Sequence, residues 1–354
     1  MFSGTGVDRL DPRLAEFDNT ATARQLKALA KNRRIVQIQC SEPVNDRVWG
    51  LLNEHFISAR PNVMVRAYGG MSKSIDLKCL KQIPSVRHLS IDRFNDAKGL
   101  AAFGELQQLR SLTLGVYNLP DLSVLDLLPA SLRSLSIDAT RSKKPSLAHI
   151  GRFKSLRSLR VEGHSKGIEA VGELKWLESL TLRSITTPNL EFLRGLPKLK
   201  DLEIKLGGIR SFTGIEGKAS IRYLELWQIR ELRTIDVVST LANLQNLYLQ
   251  SLPHIKALPS LDGSEVLRRV IVNNLKGLRD FRALATAPAL EEFGLLMGSP
   301  QTPAQLKPVL ANPSVRRVAA HFASDRHRDD FRRLATAAGK ADFNVCTQFR
   351  YRRA

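Results

Sequence analysis

The sequence predicts an α/β fold: a curved repeat solenoid with a parallel β-sheet on its concave side and short returns on its convex side. Three observations predict it. A six-residue word, L-x-x-L-x-L with Ile, Val or Phe allowed in the apolar slots, recurs along most of the 354 residues, its starts 21 to 25 residues apart. Within each word the apolar residues fall at the first, fourth and sixth places, and the last two alternate as a half-buried strand requires. Between words, Leu and Ile recur at three-residue intervals, as in ITTPNLEFLRGLPKL from Ile185. That spacing suits a tight 3₁₀ or extended return.

Taken in order, the words read VRHLSI from Val86, LRSLTL from Leu109, LRSLSI from Leu132, LRSLRV from Leu156 and LESLTL from Leu177. They continue as LKDLEI from Leu199, IRYLEL from Ile221, LQNLYL from Leu244, LRRVIV from Leu267 and LEEFGL from Leu290. A weaker copy, VRRVAA, starts at Val315, and degenerate copies start at Ile35 (IVQIQC) and Arg60 (RPNVMV). Over residues 35–320 this pattern resembles the leucine-rich repeat family. The resemblance implies a strand-plus-return unit that cannot bury its apolar edge alone, so that neighbours stack into one core. One departure stands out. The family places Asn or Cys at the ninth position, where this chain has Phe94, Tyr117, Thr140, His164, Ile185, Gly207, Ile229, Leu252, Leu275 and Gly298.

A length of 354 residues would ordinarily suggest two or three domains, but the period predicts one continuous solenoid. Its parts are a loose tail over 1–19, a helical cap with degenerate repeats over 20–85, the repeats over 86–320, and a helix–strand cap over 321–354. Residues 20–32 read as an amphipathic helix capped by Thr20 or Thr22, and residues 43–58 as a second helix. Ser324 opens a helix through about Ala338 that Gly339 stops. After it DFNVCTQFRY alternates apolar and polar residues and reads as a closing strand over the last repeat.

Composition narrows the function classes. Hydrophobic residues make up 43% and charged residues 25%, a globular balance that excludes disorder. No run approaches the roughly 20 apolar residues of a membrane span, and the N-terminus lacks the basic and apolar regions of a signal peptide. Three cysteines, Cys40, Cys79 and Cys346, are too few and too far apart for a disulfide framework, so the expected location is cytoplasmic. Lys and Arg number 54 against 34 acids, a formal net charge of +20. Such a charge fits an acidic partner without naming one.

No enzyme motif is present: no phosphate loop, no H-E-x-x-H, no G-x-S-x-G and no C-x-x-C pair. Gly69–Ser74 lacks phosphate-loop spacing. His327-Arg328-Asp329 sits in the C-terminal capping helix without the other parts of a kinase site. The expectation is therefore no enzyme, no metal and no cofactor.

The third, fifth and seventh places of each word face the concave side. In the N-terminal half they hold small hydroxyls, from Ser90 to Thr181. In the C-terminal half they hold Asp201, Glu203, Tyr223, Glu225, Trp227, Tyr248 and Arg269, the candidate partner-binding set. Exposed Tyr and Trp on a rigid surface dominate protein-binding hot spots. The second place repeats a cation, including Arg110, Arg133 and Arg157, and one return carries Arg141, Lys143 and Lys144. These six are candidate anion contacts. The functional expectation is a protein–protein recognition module, an intracellular adaptor, regulator or inhibitor/immunity-type protein. The alternative is binding of nucleic acid or another anionic surface through the basic rim and C-terminal cap.

Overall fold

The computed structural model describes residues 7–70 and 73–352. The chain divides into two compact units, residues 1–177 and 178–354, where the repeat period predicts a single domain. Gly69–Ser74 is only partly visible, since Met71 and Ser72 lie outside the described residues.

The first unit opens with β1 (Val7–Asp11) and β2 (Leu14–Phe17), an antiparallel hairpin. The sequence predicts a loose tail over 1–19, of which residues 1–6 lie outside the described residues. Phe17 anchors it: the ring is buried and meets Trp49 edge-on at 5.3 Å. Next come β3 (Gln37–Cys40), β4 (Met64–Tyr68), β5 (Ser74–Asp76), β6 (His88–Phe94), β7 (Asp96–Lys98), β8 (Ser111–Val116), β9 (Ser134–Ile137) and β10 (Ser158–Glu162). All but β5 and β7 continue from β2 as one parallel sheet in sequence order. β5 and β7 pair with each other. The degenerate words at Ile35 and Arg60 thus become β3 and β4. Helix α1 (Ala23–Lys31) starts at Thr22, whose side chain forms a reciprocal capping box with Gln25. Helix α2 (Asp46–Leu52), capped by Asn45, runs on into a π turn over Asn53–Ile57.

The second unit carries β11 (Ser179–Arg183), β12 (Asp201–Lys205), β13 (Tyr223–Trp227), β14 (Asn246–Gln250), β15 (Arg269–Asn273), β16 (Glu292–Leu296) and β17 (Arg317–Ala320). Each is parallel to the next. In both units most returns are short 3₁₀ turns, for example Leu147–Arg152 and Asp236–Thr240. Helix α3 (Lys307–Ala311) is one exception, and α4 (Asp325–Ala337), opened by Ser324, follows β17.

The word positions explain the core. First, fourth and sixth residues such as Leu109, Leu112, Leu114, Leu199, Leu202 and Ile204 are buried against the returns. The third, fifth and seventh form the opposite, open face of the sheet. Each buried Leu or Ile contributes roughly 1.5–3 kcal/mol, and repetition sums this into a core no single unit has.

The unusual ninth position has a backbone cause. In the second unit the eighth residue of every word from Leu177 to Leu290 is left-handed: Ser184, Leu206, Gln228, Ser251, Asn274 and Met297, with φ from 49° to 56°. This bend ends the strand and turns the ninth residue inward, so Ile185, Ile229, Leu252 and Leu275 are buried. The left-handed amides stay paired across the sheet: Leu206 N–H donates to Trp227 O at 2.8 Å, and Gln228 N–H to Gln250 O at 2.8 Å. Side chains from a following return supply part of what an asparagine ladder would. Arg152 donates to Leu125 O and Leu128 O, Gln301 to Leu275 O and Leu278 O, and Asn312 to Leu284 O and Ala287 O.

The predicted closing strand does not form. Gly339 (φ 67°) ends α4, and Ala341 makes one bridge to Arg317. The chain then leaves the sheet edge and crosses back over the open face of the second unit. Its aromatic side chains lie against the cations of that face, Phe343 against Arg269 and Arg317 and Phe349 against Arg268 and Arg269.

Candidate functional site

The register of the second unit lays out the open face as three columns. The third-place column runs Ser179, Asp201, Tyr223, Asn246, Arg269, Glu292, Arg317. The fifth-place column runs Thr181, Glu203, Glu225, Tyr248, Ile271, Gly294. The seventh-place column runs Arg183, Lys205, Trp227, Gln250, Asn273, Leu296.

The predicted partner-binding residues occupy this face but not as one aromatic cluster. Tyr223 pairs with Asn246, Glu225 with Tyr248 and Trp227 with Gln250, so Tyr223 and Trp227 flank Glu225 along β13 and Tyr248 stands opposite it. Each ring has polar company. Tyr223 Oη donates to Glu225 at 2.8 Å. Tyr248 Oη donates to Gln250 at 3.1 Å and accepts from Asn273 at 2.9 Å. The Arg183 guanidinium lies over the Trp227 ring, 5.3 Å from its centroid.

The acids are less free than their sequence suggests. Lys205 Nζ lies 2.8 Å from Glu203 and 3.2 Å from Glu225. Burial opposes the Lys205 charge, but the Glu203 hydrogen bond and the two carboxylate charges outweigh it and raise its pKa. Asp201 is pushed up instead, by burial first and by Glu203 second. Burial, then the Glu225 charge, pushes the Tyr223 hydroxyl far up, so it stays protonated and keeps its bond to Glu225.

Arg269 departs from its expected role. It is 5% exposed, ion-paired with Glu292 (4% exposed), which Arg317 also engages. Its guanidinium donates to Thr347 O at 2.9 Å and lies between the rings of Phe343 and Phe349, at 5.7 and 5.0 Å. Arg269 is therefore covered by the chain's own C-terminal segment and does not face solvent. The aromatics Phe343, Phe349 and Tyr351 went unread as site residues. The signal for them is the alternation that predicts a strand, with Arg interleaved at Arg350 and Arg352.

The candidate anion contacts lie in the first unit, and all six are exposed. Arg87, Arg110, Arg133 and Arg157 follow one another up one edge, the amides of the last three each donating to the preceding arginine's carbonyl at 2.7–2.8 Å. Arg141, Lys143 and Lys144 stand apart in a return. In the second unit acids enter the same column: Lys200 pairs with Glu178 and Arg268 with Glu291, each at 2.8 Å. Among the described residues no helix is long and apolar enough to cross a membrane. None of the described His, Cys, Asp and Glu form a group of three or more able to hold a metal ion.

No protein-family model matches the sequence, and no curated protein does. Solved structures do match. TLR13 in complex with ssRNA13 superposes with a TM-score of 0.55 at 15% identity, over 86% of this chain and 50% of that one. This chain thus spans half the length of that relative. An internalin of Listeria monocytogenes, InlF, gives a TM-score of 0.49 at 16% identity, over 88% and 87% of the two chains. A leucine-rich repeat protein of Leptospira interrogans gives 0.43 at 15% identity, over 89% and 91%.

Proposed function

The chain has the leucine-rich repeat fold, and from that premise we propose that it is a non-enzymatic protein-recognition module. Its partner docks on the open face of β12 to β15, around Asp201, Glu203, Tyr223, Glu225, Trp227 and Tyr248. The observation that carries this reading is the half-exposed Trp227, fixed under Arg183 beside the Glu203–Lys205–Glu225 network. A rigid aromatic ringed by charged groups gives apolar area for affinity and a polar surround for selectivity. The free thiols, none in a disulfide, support an intracellular adaptor, regulator or inhibitor/immunity-type role. Affinity capture from the native host tests the reading. A Trp227→Ala/Tyr248→Ala double variant should lose at least about tenfold of the captured partner. Undiminished capture would sink it.

A second reading rests on a separate observation, the edge of Arg87, Arg110, Arg133 and Arg157 in the first unit. Strand-spaced guanidinium groups grip successive phosphates, and the similar TLR13 structure contains ssRNA13.

A further inference from the structure

We infer that the open face of β14 to β17 is a groove for a peptide segment with two aromatic residues separated by one, and that Asp342–Arg352 is the chain's own resident copy of that ligand. This deepens the reading of the open face as the docking surface and rests on it. A partner of this chemistry gains the face by displacing the resident segment, here termed the strap.

The seating is specific at each step. From the bridge at Ala341, Phe343 lies over Arg269 and Arg317 at 5.7 and 5.9 Å. Val345 packs beside Gly294, where an added Cβ would stand 2.9 Å from Val345 and 2.7 Å from Ile271. The glycine thus leaves a slot in the floor. Thr347 O and Arg350 O accept from Arg269 and Arg268, both at 2.9 Å. Phe349 lies over both guanidinium groups and takes Tyr351 edge-on at 4.9 Å. Gln245 grips the Arg352 backbone twice, donating to its carbonyl and accepting from its amide at 2.9 Å each. Arg352 also reaches Glu291 at 2.7 Å. Side chains thus read backbone carbonyls and aromatic faces, which any peptide of this pattern presents.

The segment is docked without being built in. It runs from β17 towards Tyr223 on β13, four strand steps or about 19 Å, while ten extended residues reach about 33 Å. The slack is taken up locally, where Thr347 N–H returns to Asn344 O at 2.9 Å. Asp342, Asn344, Cys346, Gln348, Arg350 and Tyr351 are exposed, and Phe343, Val345 and Phe349 are only half-buried. A segment with so little buried area opens far more readily than the strands beneath it.

The test uses the full chain and a fluorescein-labelled peptide of residues 341–352 carrying Cys346→Ser, read by anisotropy. A Phe343→Ala/Phe349→Ala/Tyr351→Ala chain, its strap loosened, should bind the peptide at least tenfold tighter than the wild type, whose face is occupied. The same peptide with Phe349→Ala and Tyr351→Ala should bind at least tenfold more weakly. Equal binding by both chains, or by both peptides, overturns the proposal. Hydrogen exchange on the wild-type chain guards against a misfolded variant: strap amides should exchange at least 100-fold faster than those of β14 to β16. Equal protection would make the strap a structural cap and overturn the proposal. A wild-type dimer that the triple variant reduces to monomer would assign the strap to a second copy, and would also overturn it. Peptide binding that fails while Trp227-dependent capture persists overturns this inference alone, leaving the docking face itself intact.

Discussion

Asp201 shows how one open-face residue is set by its neighbours. Burial, with Glu203 beside it, raises its carboxyl pKa in the folded chain. The folded state therefore holds that proton more tightly than the unfolded one. Stability from this group is present below the ordinary carboxylate value and is lost as pH rises through the raised one. At neutral pH the ionised Asp201 works against folding. Asp201→Asn should raise the melting temperature at pH 7, with the gain shrinking as pH falls toward 4. A gain that stays constant with pH would point to packing in place of charge. The same residue faces the strap: after burial, Asp201 is the largest cause of the upward shift at Tyr351.

At the scale of the element, the left-handed column is the feature with a measurable cost. An L residue in that conformation gives up roughly 1 kcal/mol, of which glycine's greater freedom when unfolded returns about half. Gln228→Gly and Met297→Gly should each stabilise by about 0.5 kcal/mol in urea unfolding. Ser134→Gly, in ordinary strand backbone, should destabilise by about as much. Matched losses at all three would mean that the left-handed bend carries no strain.

This column was not legible in the sequence, because Ser184, Leu206, Gln228, Ser251, Asn274 and Met297 share no chemistry. Their common property is a backbone angle that the sheet imposes. The strands themselves were legible, since the alternation of word positions four and six acts over six residues and needs no distant partner. The hairpin at Val7–Phe17 was not, having one short alternation (LAEF) and no repeat to support it. The strap lies between these cases. Its alternation was real, but alternation says only that one side is covered, and not whether the cover is a sheet edge or a sheet face. Tyr223, Trp227 and Tyr248 were correctly placed on the open face for the same local reason. The cover of Arg269 is not legible locally because it comes from Phe343, Thr347 and Phe349, far along the chain.

For the whole molecule the charge of +20 divides evenly between the two units, and what differs is where the acids stand. The arginine edge belongs to residues 1–177, while in the second unit acids on the same edge meet cations. A protein partner held by apolar contact and short ion pairs should survive 0.3 M salt. Phosphate contacts weaken steeply with salt, losing about 0.7 log units of affinity per log unit of salt for each phosphate of a single strand neutralised. A gel shift with single-stranded RNA should therefore vanish by 0.3 M salt in the wild type. A shift that persists there and is lost in Arg110→Ala/Arg133→Ala/Arg157→Ala would favour the anion-binding reading over the protein-binding one.

Cys346 gives the strap a practical use. Cys40 and Cys79 are buried and burial pushes both thiols up, Cys79 to about 12, so neither is a ready nucleophile at neutral pH. Cys346 is exposed, midway along the strap. A maleimide dye offered to the native chain should couple there at a single position, with no engineered cysteine. The dye then rides on the segment that a ligand must move, so the labelled molecule is its own sensor, and screening for partners reduces to watching its emission change.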